Sequence, residues 1–273
     1  MVSGGLLVFF IKNESTIMTI SERHEIILNK LKEKGRVFVQ DLSQDLSVSE
    51  VTIRKDLRLL EDKNLLFRTH GGANLSNPYT SDRPVSEKAK VQAKEKEAIA
   101  KEAVKLIGEN DSIILASGTT VSALAREINS KNRLNIITSS LDVSLTLSDQ
   151  ENIDITQLGG QLRPTSNSVV GPYAEHFLTN ITCGILFLGV DGIDLEYGLT
   201  TTNLMEASLN KKFIDISQYT VVLADHTKFG KRGFGRICTI DFVQHIITDS
   251  QTPESLIESL EKKGVRVTVA KVV

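Results

Sequence analysis

From residue 87 to the C-terminus, short apolar runs typical of strands alternate with longer amphipathic runs typical of helices. Such alternation predicts an α/β domain with a mostly parallel sheet covered by helices on both faces. The predicted strands are Ser112–Ala116, Asn135–Ser139, Ile153–Leu158, Gly184–Val190, Thr220–Ala224, His245–Thr248 and Val265–Val269. The predicted helices are Lys94–Ile107, Val121–Ile128, Asp142–Leu147, Leu204–Ile216 and Glu254–Lys263.

The N-terminal part of the chain has a different, mainly helical pattern. A first helix can be capped by Ser21, a second fits Val39–Leu46, and a third fits Ser49–Asp62 with Ser49 as its N-cap. The run Leu65–Gly72 then indicates a short strand entering a Gly-Gly turn. Three helices and a wing in so short a segment predict a small winged helix-turn-helix domain, whose third helix lies in the DNA major groove.

Composition shifts predict four segments. Residues 1–18 are expected to be a disordered extension, with a short membrane-touching anchor as the alternative. Residues 19–75 form the winged helix, residues 76–90 a linker with two prolines, and residues 91–273 the α/β domain. No apolar run reaches the roughly 18 residues that cross a membrane. The two cysteines suggest buried thiols in a reducing cytoplasm, and no metal site or cofactor is expected.

Charge alone does not point to nucleic acid, because the formal net charge of the chain is −2. The arrangement of the third helix does point to it. When Ile53, Leu57 and Leu60 face the core, the long cations face outward, where they can reach phosphates and base edges. The predicted contacts to double-stranded DNA are Ser49, Thr52, Arg54, Lys55, Arg58, Arg68 and His70.

Polar and glycine residues follow four of the predicted strands. Ligands of parallel sheets bind at the carboxyl ends of strands, and a glycine before a helix N-terminus favours an anion. Each position alone is more often only a turn, but together they favour a polyhydroxylated, phosphorylated ligand. The candidates from this argument are Ser117, Gly118, Thr119, Thr120, Ser139, Asp191, Gly192 and Lys228.

Two N-terminal runs resemble the signature of the DeoR family of bacterial transcriptional regulators. The run Val51–Leu57 is similar to a TIRRDL core, and Arg68–Ala73 is similar to the R-x-HGGA wing. Lys55 stands where the family has a second arginine, which keeps the charge but loses the planar guanidinium fork.

Later motifs extend this resemblance to about residues 19–250. It implies an effector domain similar in fold to ribose-5-phosphate isomerase that binds phosphorylated sugars, with Gly160 and Glu206 among the matching site positions. Ala116 replaces the acid of the usual D-S-G-T-T motif. The similar runs are Ala116–Thr120, Gly159-Gly160, Gly189–Asp194, Thr202–Ala207 and Ala224–Phe229.

The resemblance leads us to expect a repressor of carbohydrate genes that acts as a homo-oligomer, a dimer or a tetramer, and is not an enzyme. A sugar-phosphate isomerase carrying a DNA-binding domain is the alternative. The isomerases have a catalytic lysine after their D-G-A-D run, and the matching stretch Leu195–Thr202 has none. Loss of such a cation costs roughly 3–4 kcal/mol of transition-state stabilisation. A regulator with a degenerate pocket is a third possibility.

Overall fold

The computed structural model of the protein describes residues 18–63, 65–69, 71–74, 83–108 and 111–272. The chain divides after residue 78 into two compact units. The predicted extension up to residue 17 and the linker segment 75–82 lie outside the described residues. Among the described residues, no helix is both long and apolar enough to cross a membrane.

The N-terminal unit is the predicted winged helix-turn-helix. Its helix α1 begins at Thr19 as N-cap and not at Ser21, since Thr19 and Glu22 cap each other's backbone N–H groups in a capping box. Ser49 is the N-cap of α3, as predicted. Its elements are α1 Ile20–Lys34, β1 Arg36–Phe38, α2 Val39–Asp45, α3 Glu50–Asp62, β2 Phe67–Thr69 and β3 Gly72–Asn74.

Strand β1 was not predicted from the sequence. It pairs antiparallel with β3, which also pairs with β2, so the wing hairpin is anchored to the segment between α1 and α2. Gly72 permits this contact, because a Cβ there would lie 2.0 Å from the carbonyl oxygen of Val37. The predicted inward residues Ile53, Leu57 and Leu60 are all buried.

The C-terminal unit contains a seven-stranded, all-parallel sheet in the order β15-β14-β12-β9-β4-β5-β6. From β4 the chain builds outward in one direction through β5 and β6, and from β9 it builds in the other. The switch point of the sheet therefore lies between β4 and β9, where doubly wound folds bind their ligands. The strands are β4 Ser112–Leu115, β5 Leu134–Thr138, β6 Ile153–Gln157, β9 Cys183–Gly189, β12 Ser217–Leu223, β14 His245–Asp249 and β15 Arg266–Ala270.

Helices cover both faces of this sheet, and two separate apolar clusters lie against the two faces. All seven predicted strands and all five predicted helices are present, each within a few residues of its predicted bounds. Cys183 and Cys238 are buried free thiols. The helices predicted from the sequence are α5 Ala93–Ala103, α6 Thr119–Glu127, α7 Leu141–Leu147, α9 Leu204–Ile216 and α10 Glu254–Lys262.

Several short elements were not predicted. An antiparallel sheet β10-β11-β13 and a hairpin β7-β8 are added beside the main sheet. Helix α4 occupies the second half of the predicted linker, so the linker prediction is wrong there. The backbone N–H of Val85 donates to the carbonyl of Thr165 at 2.7 Å, which ties α4 to this unit. These elements are α4 Val85–Lys90, β7 Gln161–Arg163, β8 Ser168–Val170, α8 Pro172–Phe177, β10 Gly192–Asp194, β11 Gly198–Thr201 and β13 Gly235–Cys238.

Candidate functional site

A polar cavity opens at the switch point of the main sheet, and we call it the switch-point cavity. Its floor is made where β4 and β9 end. Gly118 follows β4 at φ 129°, and a Cβ there would lie 3.9 Å from the Cα of Gly189 at the end of β9. Seven of the ten predicted effector residues line it: Ser117, Gly118, Thr119, Thr120, Asp191, Glu206 and Lys228.

Gly118 is also the N-cap position of α6, whose first turn contains Thr119 and Thr120. The unpaired backbone N–H groups of a helix N-terminus carry a partial positive charge. Glycine at this position lets a ligand approach the backbone closely. The cavity therefore has an anion-attracting wall on the β4 side.

Asp191 follows β9 and has the densest set of donors in the cavity. Lys88 donates to its Oδ1 at 2.9 Å, while the Thr201 hydroxyl and the Thr202 backbone N–H donate to Oδ2 at 3.0 and 3.1 Å. Burial alone would raise the pKa of Asp191, but the nearby Lys88 and Lys228 outweigh burial and lower it. The carboxylate therefore stays charged and fixed by its neighbours.

Glu206 lies in the first turn of α9, which Asn203 caps. Its carboxylate forms a buried ion pair with Arg163 of β7. Burial raises the pKa of Glu206 despite the arginine, and the charge of Asp191 adds to the rise. The hydroxyl of Ser117 lies 3.5 Å from the other oxygen of Glu206.

Lys228 reaches the cavity from a short 3-10 helix, His226–Lys228, which follows β12. The first residue of that turn is anchored, since both the backbone N–H and the ring of His226 contact the fully buried Asp249 at 2.7 to 3.1 Å. No carboxylate among the described residues forms an ion pair with Lys228. Lys228 thus has no direct ion-pair partner at the rim of the cavity, although its charge helps to lower the pKa of Asp191.

Sequence reasoning missed several residues that line the cavity, and it also missed Arg163, which pairs with the lining residue Glu206. Lys88 lay in the predicted linker, and Arg163 lay between predicted elements, so neither carried a strand-end signal. Lys88 and Arg163 matter because they neutralise Asp191 and Glu206 respectively. The other unpredicted lining residues are Val85, Thr165, Ser166, Gly189, Val190 and Thr201.

Three predicted effector residues do not line this cavity. Ser139 is buried after β5, and its carbonyl accepts from the backbone of Val169. Gly160 lies beside β8, where a Cβ would sit 2.7 Å from the carbonyl oxygen of Val170. Gly192 begins β10, where a Cβ would sit 2.4 Å from the carbonyl oxygen of Lys231. The structure gives each a packing role.

The candidate DNA surface is the outer face of α3. Lys55 and Arg58 are exposed there, and neither has an ion-pair partner in the part of the chain that the structure describes. Thr52 in the first turn shares a 2.9 Å hydrogen bond with the hydroxyl of the N-cap Ser49. Two free cations and two hydroxyls thus project from the N-terminal half and middle of the helix.

The other predicted DNA contacts differ from these. Arg54 donates to Glu50 at 2.5 Å one turn earlier on α3. The backbone N–H of Arg68 on the wing donates to Glu61 at 2.8 Å, and its guanidinium lies 3.5 Å from the same carboxylate. The Arg68–Glu61 contacts link the wing to α3, whereas the Arg54–Glu50 pair lies within α3. His70 lies outside the described residues.

Val51 also belongs to this surface. The charge pattern of α3 did not identify it, because valine is apolar. It is 72% exposed on the first turn of α3, unusual for a valine. Val51, Lys55 and Arg58 are spaced i, i+4 and i+7, so they share one face of the helix. An apolar side chain at that place can contact the methyl group of thymine.

Comparison with known families and proteins agrees with the two units. Residues 23–78 match the model of the DeoR-like helix-turn-helix domain, and residues 91–250 match that of the DeoR C-terminal sensor domain.

Curated relatives match nearly the whole chain. A protein of Escherichia coli O157:H7, provisionally named an aga operon transcriptional repressor, is 36% identical over 93% of this chain and 95% of its own length. The glycerol-3-phosphate regulon repressor of Escherichia coli K12 is 30% identical over 89% of this chain and 96% of its own. The transcriptional repressor GlcR of Bacillus subtilis is 31% identical over 92% and 96%.

Among solved structures, ribose 5-phosphate isomerase A of Methanocaldococcus jannaschii overlaps 49% of this chain and 53% of its own. The two are 21% identical, with a TM-score of 0.37.

Proposed function

The chain belongs to the DeoR family of transcriptional regulators, and we propose that it represses carbohydrate genes and releases its operator when a phosphorylated sugar or related metabolite fills the switch-point cavity. Transcriptional repression follows from the family and from relatives that match nine-tenths of the chain under repressors' names. The alternative of an active isomerase is not favoured, because those relatives are named as regulators. We place its action in the cytoplasm, on double-stranded DNA.

The charge balance of the switch-point cavity carries the proposal of a phosphorylated ligand. Lys88 and Arg163 are neutralised by Asp191 and Glu206, which leaves Lys228 as a surplus cation. The N-terminus of α6 opens onto the same space. Phosphate is an anion that fits both a free ammonium and exposed backbone N–H groups. Gly118, Thr119, Thr120 and Lys228 would then hold the phosphate.

The carboxylates suit the other end of such a ligand. A carboxylate accepts hydrogen bonds from sugar hydroxyls, and Asp191 and Glu206 lie within the same cavity as the anion wall. Both have donors that fix them in place, so they can orient a hydroxyl without a large reorganisation. A ligand that joins a phosphate to several hydroxyls matches this arrangement.

The same geometry suggests how the ligand affects DNA binding. Lys88 belongs to α4, the first helix after the segment that leads from the winged helix. A phosphate in the cavity would compete with Asp191 for Lys88 and so loosen or move α4. A coupling of about 1–3 kcal/mol corresponds to a 5- to 150-fold change in operator affinity. A homo-oligomer would supply two winged-helix domains, one for each half-site of an operator.

A gel-shift titration tests this proposal. The probe is the DNA upstream of the protein's own gene, and the added compounds are ribose-5-phosphate and glycerol-3-phosphate with ribose and glycerol as controls. We expect binding to the probe and at least a fivefold weakening by a phosphorylated compound alone. Absence of binding to the probe at low salt would contradict the proposal that the protein binds this DNA. An affinity for the probe that a broad panel of sugar phosphates leaves unchanged would contradict the proposal that such a ligand releases the operator.

A further inference from the structure

A cluster of aromatic and arginine side chains lies on the β10-β11-β13 sheet, and none of these side chains lines the switch-point cavity. Tyr197 occupies the turn between β10 and β11. The guanidinium groups of Arg232 and Arg236 lie 5.1 and 4.7 Å from the centre of its ring. We call the surface formed by Glu196, Tyr197, Arg232, Phe234 and Arg236 the Tyr197 face.

The Tyr197 face exposes two large aromatic side chains to solvent. Phe234 is 63% exposed and Tyr197 is 36% exposed. Tyrosine, phenylalanine and arginine are the residues enriched in the cores of protein interfaces. Stacking of both arginines on one ring also fixes their rotamers in advance, which lowers the entropy that an association must overcome.

The charges of this face are balanced within it. Arg232 forms a two-pronged ion pair with Asp194 at 2.8 and 3.0 Å, and this arginine, with backbone donors, lowers the pKa of Asp194 to about 2. Glu196 and Arg236 are exposed, and neither forms an ion pair with any described residue. Two arginines therefore face two carboxylates, and one charge of each sign is left free.

We propose that the Tyr197 face binds the same face of a second copy of this chain, with Glu196 of each copy paired to Arg236 of the other. A twofold axis requires a self-complementary surface, and one free acid with one free base beside an apolar centre meets that requirement. Phe234 and Tyr197 form that centre. The inference rests on the proposed function, in which the regulator works as a homo-oligomer.

Charge balance also separates this partner from nucleic acid. A DNA-binding surface needs uncompensated cations to replace the counterions of the phosphates. The charges of the Tyr197 face, from Arg232, Arg236 and Glu196, sum to zero once Asp194, the ion-pair partner of Arg232, is included. Charge complementarity therefore favours a copy of the chain over a polyanion.

Sedimentation velocity of the full chain tests the proposal, with charge reversals at the two free residues. Arg236→Glu places two carboxylates opposite each other, and Glu196→Arg places two guanidinium groups opposite each other. We expect each reversal to raise the dissociation constant at least tenfold and to reduce the particle mass by half or more. The double variant restores opposite charges across the axis and should recover the wild-type mass. Lys131→Glu, an exposed reversal on another surface, should have no effect.

The outcomes are separable from those of the effector proposal. Single variants that keep the wild-type mass, or a wild-type protein that is monomeric, would overturn the assignment. A folded double variant that stays dissociated would also overturn it, as would single variants that lose DNA affinity at unchanged mass, which would indicate nucleic acid. Thermal unfolding checks that each variant is folded. A normal assembly without a sugar-phosphate response would count against the proposed function alone.

Discussion

Lys88 and Asp191 are joined by a 2.9 Å ion pair although 103 residues separate them in sequence. The pair connects α4, the first helix of the C-terminal unit, with the carboxyl end of β9. Because α4 directly follows the segment from the DNA-binding unit, a ligand that competes for either partner acts on the residues next to that segment. The charge pair thus joins the switch-point cavity to the helix that follows that segment.

Lys88→Met should uncouple ligand binding from operator release. The variant removes the cation that a phosphate would draw away from Asp191, while the DNA-binding unit is untouched. We expect operator affinity without ligand to stay within about twofold, and the weakening by sugar phosphate to fall from at least about fivefold to less than about twofold. Gel-shift titrations with and without the phosphorylated compound measure both values. Lys90→Met is the matched control, since Lys90 is exposed on the same helix. A normal response in Lys88→Met would remove this pair from the mechanism.

Lys228→Ala should weaken ligand binding itself. Lys228 is the surplus cation of the switch-point cavity, and a charge-assisted hydrogen bond contributes about 1.5–3 kcal/mol, or 10- to 150-fold in affinity. Isothermal titration calorimetry with the responsive sugar phosphate measures the loss, and Lys131→Ala serves as the surface control. Wild-type affinity in Lys228→Ala would show that the phosphate lies elsewhere.

The main sheet and the recognition helix could be predicted because periodicity and strand-end residues report them directly. Ser117–Thr120, Asp191 and Lys228 each follow a parallel strand, and parallel strands end at one edge of a sheet. That rule brought residues more than 100 positions apart into one cavity. It did not bring Ser139 into the cavity, because Ser139 is buried and its carbonyl accepts from the backbone N–H of Val169 at 2.9 Å.

No such rule about strand ends applies to the residues that the sequence did not predict. Lys88 and Arg163 lie on short elements, α4 and β7, which are held by tertiary contacts and not by their own periodicity. Strand β1 has only three residues and is formed by pairing with β3. The burial of Asp56 was also unexpected, since a carboxylate is rarely buried without a partner and its partner Arg23 lies on another helix.

Arg58→Ala and Lys55→Ala should affect DNA binding in different ways. If Arg58 reads a base, its loss costs about 1–3 kcal/mol and relaxes sequence preference at one position. Lys55 as a phosphate contact would weaken all sequences alike and reduce the salt dependence by about one charge. Affinity measured over a series of operator variants and salt concentrations separates the two, with Lys32→Ala on α1 as control. Unchanged affinity for both variants would place the DNA on another surface.

The buried pair Arg23–Asp56 should stabilise the N-terminal unit only as a pair. Arg23 holds both carboxylate oxygens of Asp56, at 2.5 and 2.9 Å, and both residues are less than 10% exposed. Arg23→Met leaves the buried carboxylate with only the His24 ring, 3.2 Å from Oδ1, among its described side-chain partners. The variant should therefore cost up to about 3–5 kcal/mol. The double variant Arg23→Met/Asp56→Leu should regain most of that loss. Thermal unfolding followed by circular dichroism measures both, and equal loss in single and double variants would contradict the explanation.

Lys96 should make the stability of the C-terminal unit rise with pH in the alkaline range. Its ammonium is buried and donates to the carbonyls of Lys88 and Val91 at 2.5 and 2.6 Å, and burial lowers its pKa to about 8. The unfolded side chain has a pKa of about 10.4. Between these values the unfolded chain binds a proton that the folded chain has released, so the free energy of unfolding increases with pH.

Urea unfolding at pH 7.5 and 9.5 measures this effect as a difference between wild type and Lys96→Met. The linkage relation gives about 2 kcal/mol of extra stabilisation over that interval in the wild type, and none from this site in the variant. Burial raises the pKa of Cys183 to about 11 and that of Cys238 to about 12, so both thiols act in the opposite direction. Since both proteins contain the thiols, their contribution cancels in the difference. Lys101→Met on the exposed face of α5 should retain the wild-type pH dependence, and a Lys96→Met variant that did the same would show that Lys96 stays protonated throughout.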